Sequence, residues 1–411
     1  MLVTAEDGGA FPVVTRRIAD VAGERVEARD RFGAPTAVWR RGDALLEGYG
    51  TAARLVLRGP DRLAAGAREW RALAARCAVD DRVRVPGTGP IAFGAFAFAD
   101  ASDAQSVLLV PRRIVGVREG EAFLTDVPDL GRAAPTEAAP DHGAARLSAD
   151  GYRDAVAKAV QRIRDGGLQK VVLARDVVMD GAHDLEPALQ RLAERYGSAW
   201  VFAVDGFFGA SPETLVTVRR GAFGSRVLAG TATRLPDEAE DAASRDTLLA
   251  SPKNRFEHAL AVDSLLLTLG EDVEDLQLGR PFALGLPNVW HLATDATARV
   301  RPGTGALDLV AALHPTAAVA GAPRDAALRL IAELEPFDRR RYAGPVGWID
   351  SAGDGEWAIG LRSAEVEAGG RVRAYAGAGV VAGSDADQEL TETEWKLAPI
   401  RDALAPVPSA S

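Results

Sequence analysis

The chain has 411 residues, 47% of them apolar and 26% charged, with a formal net charge of −10. These are the proportions of a globular protein, and the negative balance without any basic stripe excludes a nucleic-acid binder held by phosphate contacts. No run approaches the ~20 apolar residues that a bilayer-spanning helix needs, and the single Cys77 excludes an intramolecular disulfide. The opening Met1-Leu-Val-Thr-Ala-Glu-Asp7 is acidic and lacks an apolar core, so no secretory signal is expected and a reducing cytoplasm is the expected compartment. Any anionic substrate must then be held by local cations or a metal, against the overall field.

In chain order, Ala52–Leu57 and Ser106–Val110 read as short strands, and residues 131–147, with two prolines and no periodicity, read as a linker or surface excursion. Ser148 is placed to cap a helix whose apolar positions Tyr152, Val156, Val160 and Ile163 recur at helical spacing, and Gly166-Gly167 ends it. Beyond it the pattern is rich in strands: 170–176, 200–205, 214–218, 226–229, 290–300, 344–349, 358–366 and 372–381. Helical patterns at 236–269 and 384–404 interrupt them. Grouped strands with helices between them predict an α+β fold with large, mostly antiparallel sheets. Three Gly-rich segments, Gly209-Ala-Ser-Pro212, Leu228-Ala-Gly-Thr231 and Tyr375-Ala-Gly-Ala-Gly379, read as turns; in the latter two, backbone N–H groups could approach a carboxylate.

The positive charge is carried by 44 arginines and only four lysines. Arg keeps its proton in proteins, whereas a desolvated Lys can lose it and act as a base. Lys158 lies in an ordinary amphipathic helix. Lys170 opens the apolar run Val171-Val-Leu-Ala174, where an inward amine would suit a general base; a strand-end Lys reaching to solvent is the alternative. Glu213, just before a strand, suits a carboxylic acid kept protonated, or else a surface turn glutamate. Glu257 lies in the helix beginning near Pro252, while Glu389, Glu392 and Lys396 share one face of the C-terminal helix. Two helices each offering a Glu could grip Mg²⁺, although Glu392 and Lys396 also form an ordinary i,i+4 helix pair. The spacing of His and Cys does not suit zinc.

Read together, these segments resemble the chorismate-utilising enzymes, the isochorismate, salicylate, anthranilate and aminodeoxychorismate synthases. The pieces are Gln169-Lys-Val-Val-Leu-Ala-Arg175, Gly209-Ala-Ser-Pro-Glu213, Leu228-Ala-Gly-Thr231, Lys253 with Glu257-His258, Trp290-His-Leu292, His314-Pro-Thr316, Tyr342-Ala-Gly-Pro-Val-Gly-Trp348, Ile359-Gly-Leu-Arg-Ser363, Tyr375-Ala-Gly-Ala-Gly379 and Glu392-Thr-Glu-Trp-Lys396. The resemblance implies the anthranilate synthase component I-like fold, a sandwich of large sheets flanked by helices. Residues 1–146 would be its N-terminal part and 147–405 the chorismate-binding catalytic region, in one compact unit and as a monomer. It is closest to isochorismate synthase, because Lys170 stands where amine-adding members carry Gln and because of the segment His314-Pro-Thr-Ala-Ala-Val-Ala-Gly321. Ala229 stands where aminodeoxychorismate synthases place a nucleophilic Lys. A salicylate synthase, which goes on to eliminate pyruvate, and an amine-adding relative are the alternatives.

The resemblance assigns roles by position. Lys170 would be the base that activates water and Glu213 the acid that protonates the departing hydroxyl. Glu257 and Glu392 would bind Mg²⁺, with Glu389 in its outer shell, and the metal would hold the ring carboxylate. Arg362, Tyr342 and the Gly377 backbone would hold the enolpyruvyl carboxylate, and Gly230, Thr231, His291, Gly379 and Lys396 would complete the chorismate pocket. Two departures stand out: Asn254 replaces an acid frequent beside the metal, and Ala317 replaces a Pro.

Overall fold

The structure, a computed structural model, describes residues 10–133, 140, 142–179, 185–270 and 272–405. The acidic opening segment and positions 134–139 and 141 of the segment read as a linker lie outside the described residues.

Two large sheets dominate. The first has 12 strands, in the order Gly321–Ala322, Lys170–Met179, Val372–Val380, Ser363–Val366, Phe207–Ser211, Trp200–Val204, Ala37–Arg41, Ala44–Tyr49, Arg113–Arg118, Glu121–Asp126, Phe11–Arg17 and Cys77–Asp81. The second has 11, running from Arg132–Ala133 through Ala53–Leu57, Ser106–Val110, Ile91–Ala95, Pro345–Asp350, Gly355–Ile359, Thr214–Arg219 and Ala222–Thr233 to Val289–Val300, which carries both Val273–Leu278 and Phe282–Gly285. Pairing is antiparallel except between Phe11–Arg17 and Cys77–Asp81 and between Arg132–Ala133 and Ala53–Leu57. Strands from the first 130 residues extend both sheets: Ala37–Arg41 pairs with Trp200–Val204, and Ile91–Ala95 with Pro345–Asp350.

Burial follows position. The edge-ward strand Phe11–Arg17 alternates buried and exposed residues, as a half-covered strand should. Ile91–Ala95, Phe207–Ser211 and Lys170–Asp176 are buried at every residue, because the opposite sheet or a helix covers each face. One apolar cluster draws Trp39, Phe202 and Leu173 from the first sheet and Phe93, Trp348 and Trp357 from the second. A polar knot also joins the sheets. Glu356, fully buried, accepts from Trp39 Nε1 at 3.0 Å, Trp348 Nε1 at 3.1 Å and Arg118 Nη2 at 2.6 Å. Burial opposes its ionisation, yet Arg118 and Arg219 outweigh that and hold its pKa down to about 2.

The α+β sandwich matches the sequence expectation, with three local differences. The helical pattern at 236–269 is two helices, Glu238–Ala250 and Pro252–Leu269, because Ser251 leaves helical geometry, caps the second helix and precedes a proline. The strand read over 358–366 is also two, one in each sheet, broken at Gly360-Leu361-Arg362, where Arg362 has φ of 49°. The three Gly-rich segments are not turns. Gly209–Ser211 and Gly377–Gly379 lie inside strands, and Leu228–Thr231 is a bulge within Ala222–Thr233, with Gly230 at φ of 85°. Glycine patterning alone did not separate a turn from a strand that must leave space beside it. The helices Leu185–Arg195, Ala306–Leu313 and Arg324–Leu334 were not foreseen. Among the described residues no helix is long and apolar enough to cross a membrane.

Candidate active site

One pocket, with ≈ 680 Å³ of empty space including its opening to solvent, gathers Lys396, Glu213, Gly230, Thr231, Glu257, His291, Tyr342, Arg362, Gly377, Gly379 and Glu392. Lys170 touches it through Glu257. Glu389 does not line it.

Lys170 begins its strand beside Ala322 on one side, and on the other side Gly379, the partner of Val172, lies two residues out of its register. The side chain is wholly buried, and Nζ lies 3.0 Å from Glu257 Oε1 in a contact that lacks hydrogen-bond alignment. The alternative of a Lys reaching to solvent does not hold here. Gly379 makes the pairing fit: a Cβ there would sit 2.1 Å from Glu257 Oε1 and 3.1 Å from Lys170 Cε. The signal was in the sequence, but its meaning is space for two side chains rather than a backbone cradle.

Glu213 belongs to the two-residue passage Pro212-Glu213, through which the chain leaves the strand Phe207–Ser211 in one sheet and enters Thr214–Arg219 in the other. Its amide donates to Ser211 Oγ at 3.2 Å and its carbonyl accepts from the Ile359 amide at 3.2 Å, which fixes the passage rigidly. The carboxyl is buried. Burial pushes its pKa up to about 8, against the lowering pull of the Leu228 amide, Lys170 and Lys396, so at neutral pH it carries a proton.

Opposite them runs a polar chain. Arg362 Nη2 donates to His291 Nε2 at 3.0 Å. Arg has no acceptor, so His291 must keep its proton on Nδ1, which faces Thr231 Oγ1 at 3.2 Å and the Gly230 carbonyl at 3.3 Å. Burial, with Arg362 and Lys396 nearby, holds the His291 pKa far below its ordinary value, in keeping with a neutral ring. Thr231 Oγ1 donates to Glu392 Oε1 at 3.3 Å, and Lys396 Nζ reaches both that oxygen, at 2.5 Å, and the Gly377 carbonyl at 2.9 Å. Gly377 therefore offers an acceptor to Lys396. Arg362 is the charged group with capacity to spare: its Nη1 is buried without a partner, and burial lowers its pKa to about 10. Tyr342, stacked on Tyr375 at 5.4 Å, forms an aromatic wall of the same pocket.

The carboxylates divide into two sets. Glu257 and Glu392 line the pocket, from the helices Pro252–Leu269 and Ala386–Leu404. Glu389 lies one turn away and accepts from Lys253 Nζ at 2.8 Å. Burial and the charge of Glu392 raise its pKa. For Glu392 burial acts in the same direction, but Lys396 outweighs it and the pKa falls. Each of the three carboxylates thus touches a lysine: Lys170, Lys396 and Lys253. Among the described residues no three His, Cys, Asp or Glu side chains gather into a cage. Two carboxylates on the pocket wall suit Mg²⁺, which keeps waters and takes substrate oxygens, better than they suit zinc. Asn254, at the departure noted above, packs its side chain against Gly230.

Sequence reasoning missed Arg339 and Glu335. Arg339 lines the pocket, pairs with Glu335 at 2.6 Å and donates to the carbonyls of Val172 and Val319; Glu335 accepts from the Ala174 amide. Together they complete the free edge of the Lys170 strand. An Arg and a Glu four apart read as a helix pair, and only the tertiary fold shows the edge they fill.

Such a pocket is equipped for acid–base chemistry on a small anionic molecule. The comparisons agree and go further. The family model of chorismate binding enzymes matches residues 130–405. A putative isochorismate synthase MenF of Mycobacterium tuberculosis is 40% identical over 334 residues, 77% of this chain and 87% of that protein. A salicylate biosynthesis isochorismate synthase of Pseudomonas aeruginosa is 33% identical over 414 residues, covering 91% and 85%. The solved structure of MenF, the menaquinone-specific isochorismate synthase from Escherichia coli, superposes with a TM-score of 0.77 at 27% identity, covering 97% of this chain and 95% of that one. The chain belongs to the chorismate-binding enzyme family.

Proposed function

We propose that this chain is an isochorismate synthase, an isomerase that reversibly converts chorismate to isochorismate. The observation that carries the reading is the pairing of a buried amine, Lys170, with a buried acid, Glu213, whose pKa of about 8 keeps it protonated at neutral pH. In the step proposed, water adds to C2 of the ring as Lys170 takes its proton. The ring double bonds shift, the C4 hydroxyl leaves, and Glu213 donates the proton that makes it water. One water enters and one departs, and the two groups exchange protonation states, so the reaction can run in both directions.

Arg362, through its unpartnered Nη1, and Tyr342 would hold the enolpyruvyl carboxylate. His291 keeps the guanidinium aimed. Glu257 and Glu392 would hold Mg²⁺, which when bound supplies positive charge to the ring carboxylate. The four lysine and glutamate side chains already in contact there set the local charge. Chorismate is the substrate in this reading, and a monomer in the cytoplasm is its expected state.

The test is to incubate purified protein with chorismate and Mg²⁺ and to identify the product by chromatography and mass spectrometry. Isochorismate is expected, with no turnover in EDTA. Salicylate plus pyruvate would replace this reading with a salicylate synthase, and dependence on ammonia would replace it with an amine-adding synthase.

A further inference from the structure

A second void, ≈ 1040 Å³ including its opening, adjoins the pocket and shares Thr231, Glu257 and Glu392 with it. These residues form the partition between the two spaces. The outer void is walled by the N-terminal halves of the helices Pro252–Leu269 and Ala386–Leu404, and it adds Lys253, Asn254, Asp387, Glu389 and Thr391. Its charge is one-sided: Glu257, Asp387, Glu389 and Glu392 face a single cation, Lys253. Lys253 spans the space to Glu389 at 2.8 Å, joining one helix to the other. The substrate pocket is more nearly balanced, because Arg362, Lys396 and Arg339 line it beside Glu213 and the shared Glu257 and Glu392.

Resting on the reading that Glu257 and Glu392 hold the metal, we propose that a divalent cation reaches them through this outer vestibule, separately from the substrate's path. The Lys253–Glu389 pair lies across that route. A hydrated cation is drawn into an acidic recess lined by low-dielectric walls and is less favoured by the pocket, whose three cations offset its carboxylates. It meets the two carboxylates from the side away from the ring, which leaves the pocket face free for chorismate. Lys253 is then a positioning residue: it spaces the helices and offsets the charge that would otherwise hold cations in the vestibule.

The test uses Mn²⁺ with the full chain. Free Mn²⁺ measured by electron paramagnetic resonance gives Kd, and stopped-flow tryptophan fluorescence, with Trp395 in the vestibule wall, gives the rates. Parent protein should bind Mn²⁺ and Glu392→Gln should not; if Glu392→Gln binds as the parent does, the metal reading falls. Thr391 is exposed and lines the vestibule but not the pocket. Thr391→Trp should slow both association and release of Mn²⁺ at least tenfold with Kd unchanged, and Lys253→Met should speed association severalfold. With the parent's Kd intact, a Thr391→Trp association rate within twofold of the parent's overturns the route.

Discussion

Lys170 Nζ rests 3.0 Å from Glu257 Oε1, and the two side chains meet over Gly379, where a Cβ would lie 2.1 Å from that oxygen. The candidate base and a candidate metal ligand therefore depend on one missing methyl group. Gly379→Ala should keep the fold, because its backbone lies within a regular strand, while displacing Glu257. Overpacking of this kind costs about 1–3 kcal/mol. The expected outcome is a modest fall in Tm with a disproportionate loss of Mn²⁺ binding; unchanged Mn²⁺ affinity would contradict the geometry.

Lys170→Gln should lower kcat by roughly 10²–10⁴, the usual contribution of a positioned general base. Chorismate affinity should change little, since Lys170 is assigned to the attacking water and to neither carboxylate of the substrate. Steady-state rates paired with a binding titration check both halves.

Glu213 gives the pH dependence a sign. As a general acid it must enter the cycle protonated, so kcat/KM should fall as pH rises above about 8, its folded pKa. In stability terms the folded state binds this proton more tightly than the unfolded chain, whose value is near 4.5. Its contribution is complete below about 4.5 and is lost as pH rises through 8. Glu213→Gln should abolish turnover while making the protein more stable relative to the parent at pH 9 than at pH 5. A parent whose alkaline limb survives unchanged in a variant retaining partial activity, Glu213→Asp, would assign that limb elsewhere.

Arg362→Gln removes a buried donor that has no protein partner on Nη1. Hydrogen bonds to charged groups are worth about 1.5–3 kcal/mol, so kcat/KM should fall roughly 10- to 150-fold, with most of the change in KM. A change confined to kcat would argue that Arg362 does not bind the ground-state carboxylate.

Glu356 tests the fold apart from the site. Glu356→Ala would leave Arg118 buried without its partner, a change that costs about 3–5 kcal/mol. A large loss of thermal stability is expected, with kcat nearly unchanged at temperatures where the variant remains folded. Because its folded pKa is lowered to about 2 from 4.5, its stabilising effect is present above 4.5 and lost as pH falls through 2.

The sequence made the α+β class and most strands of the second half legible, because apolar runs such as Val171–Ala174 are local signals. Lys170, Glu213 and Arg362 were singled out by residue type and by ordered motifs. Their setting was not legible. Nothing local in Pro212-Glu213 or Gly360-Leu361-Arg362 says that the chain changes sheets there, since one pairing partner of each flanking strand lies more than a hundred residues away. The role of Lys253 was equally hidden: its partner Glu389 is 136 residues on, and only helix packing brings them together. Arg339 and Glu335 were missed for the same reason, because the strand edge they complete lies far off in the sequence.

The placement of the lysines has a practical consequence. Lys170 is fully buried, Lys253 and Lys396 are held in ion pairs at 35% and 19% side-chain exposure, and Lys158 stands in the open on the outer face of its helix. A mild amine-directed reagent would therefore find Lys158 as its one freely presented side chain among the described residues. Dyes, spin labels or a surface tether could be attached there without mutagenesis, at a known point that does not line the pocket. The scarcity of lysine that equips the pocket leaves the exterior with a natural single handle.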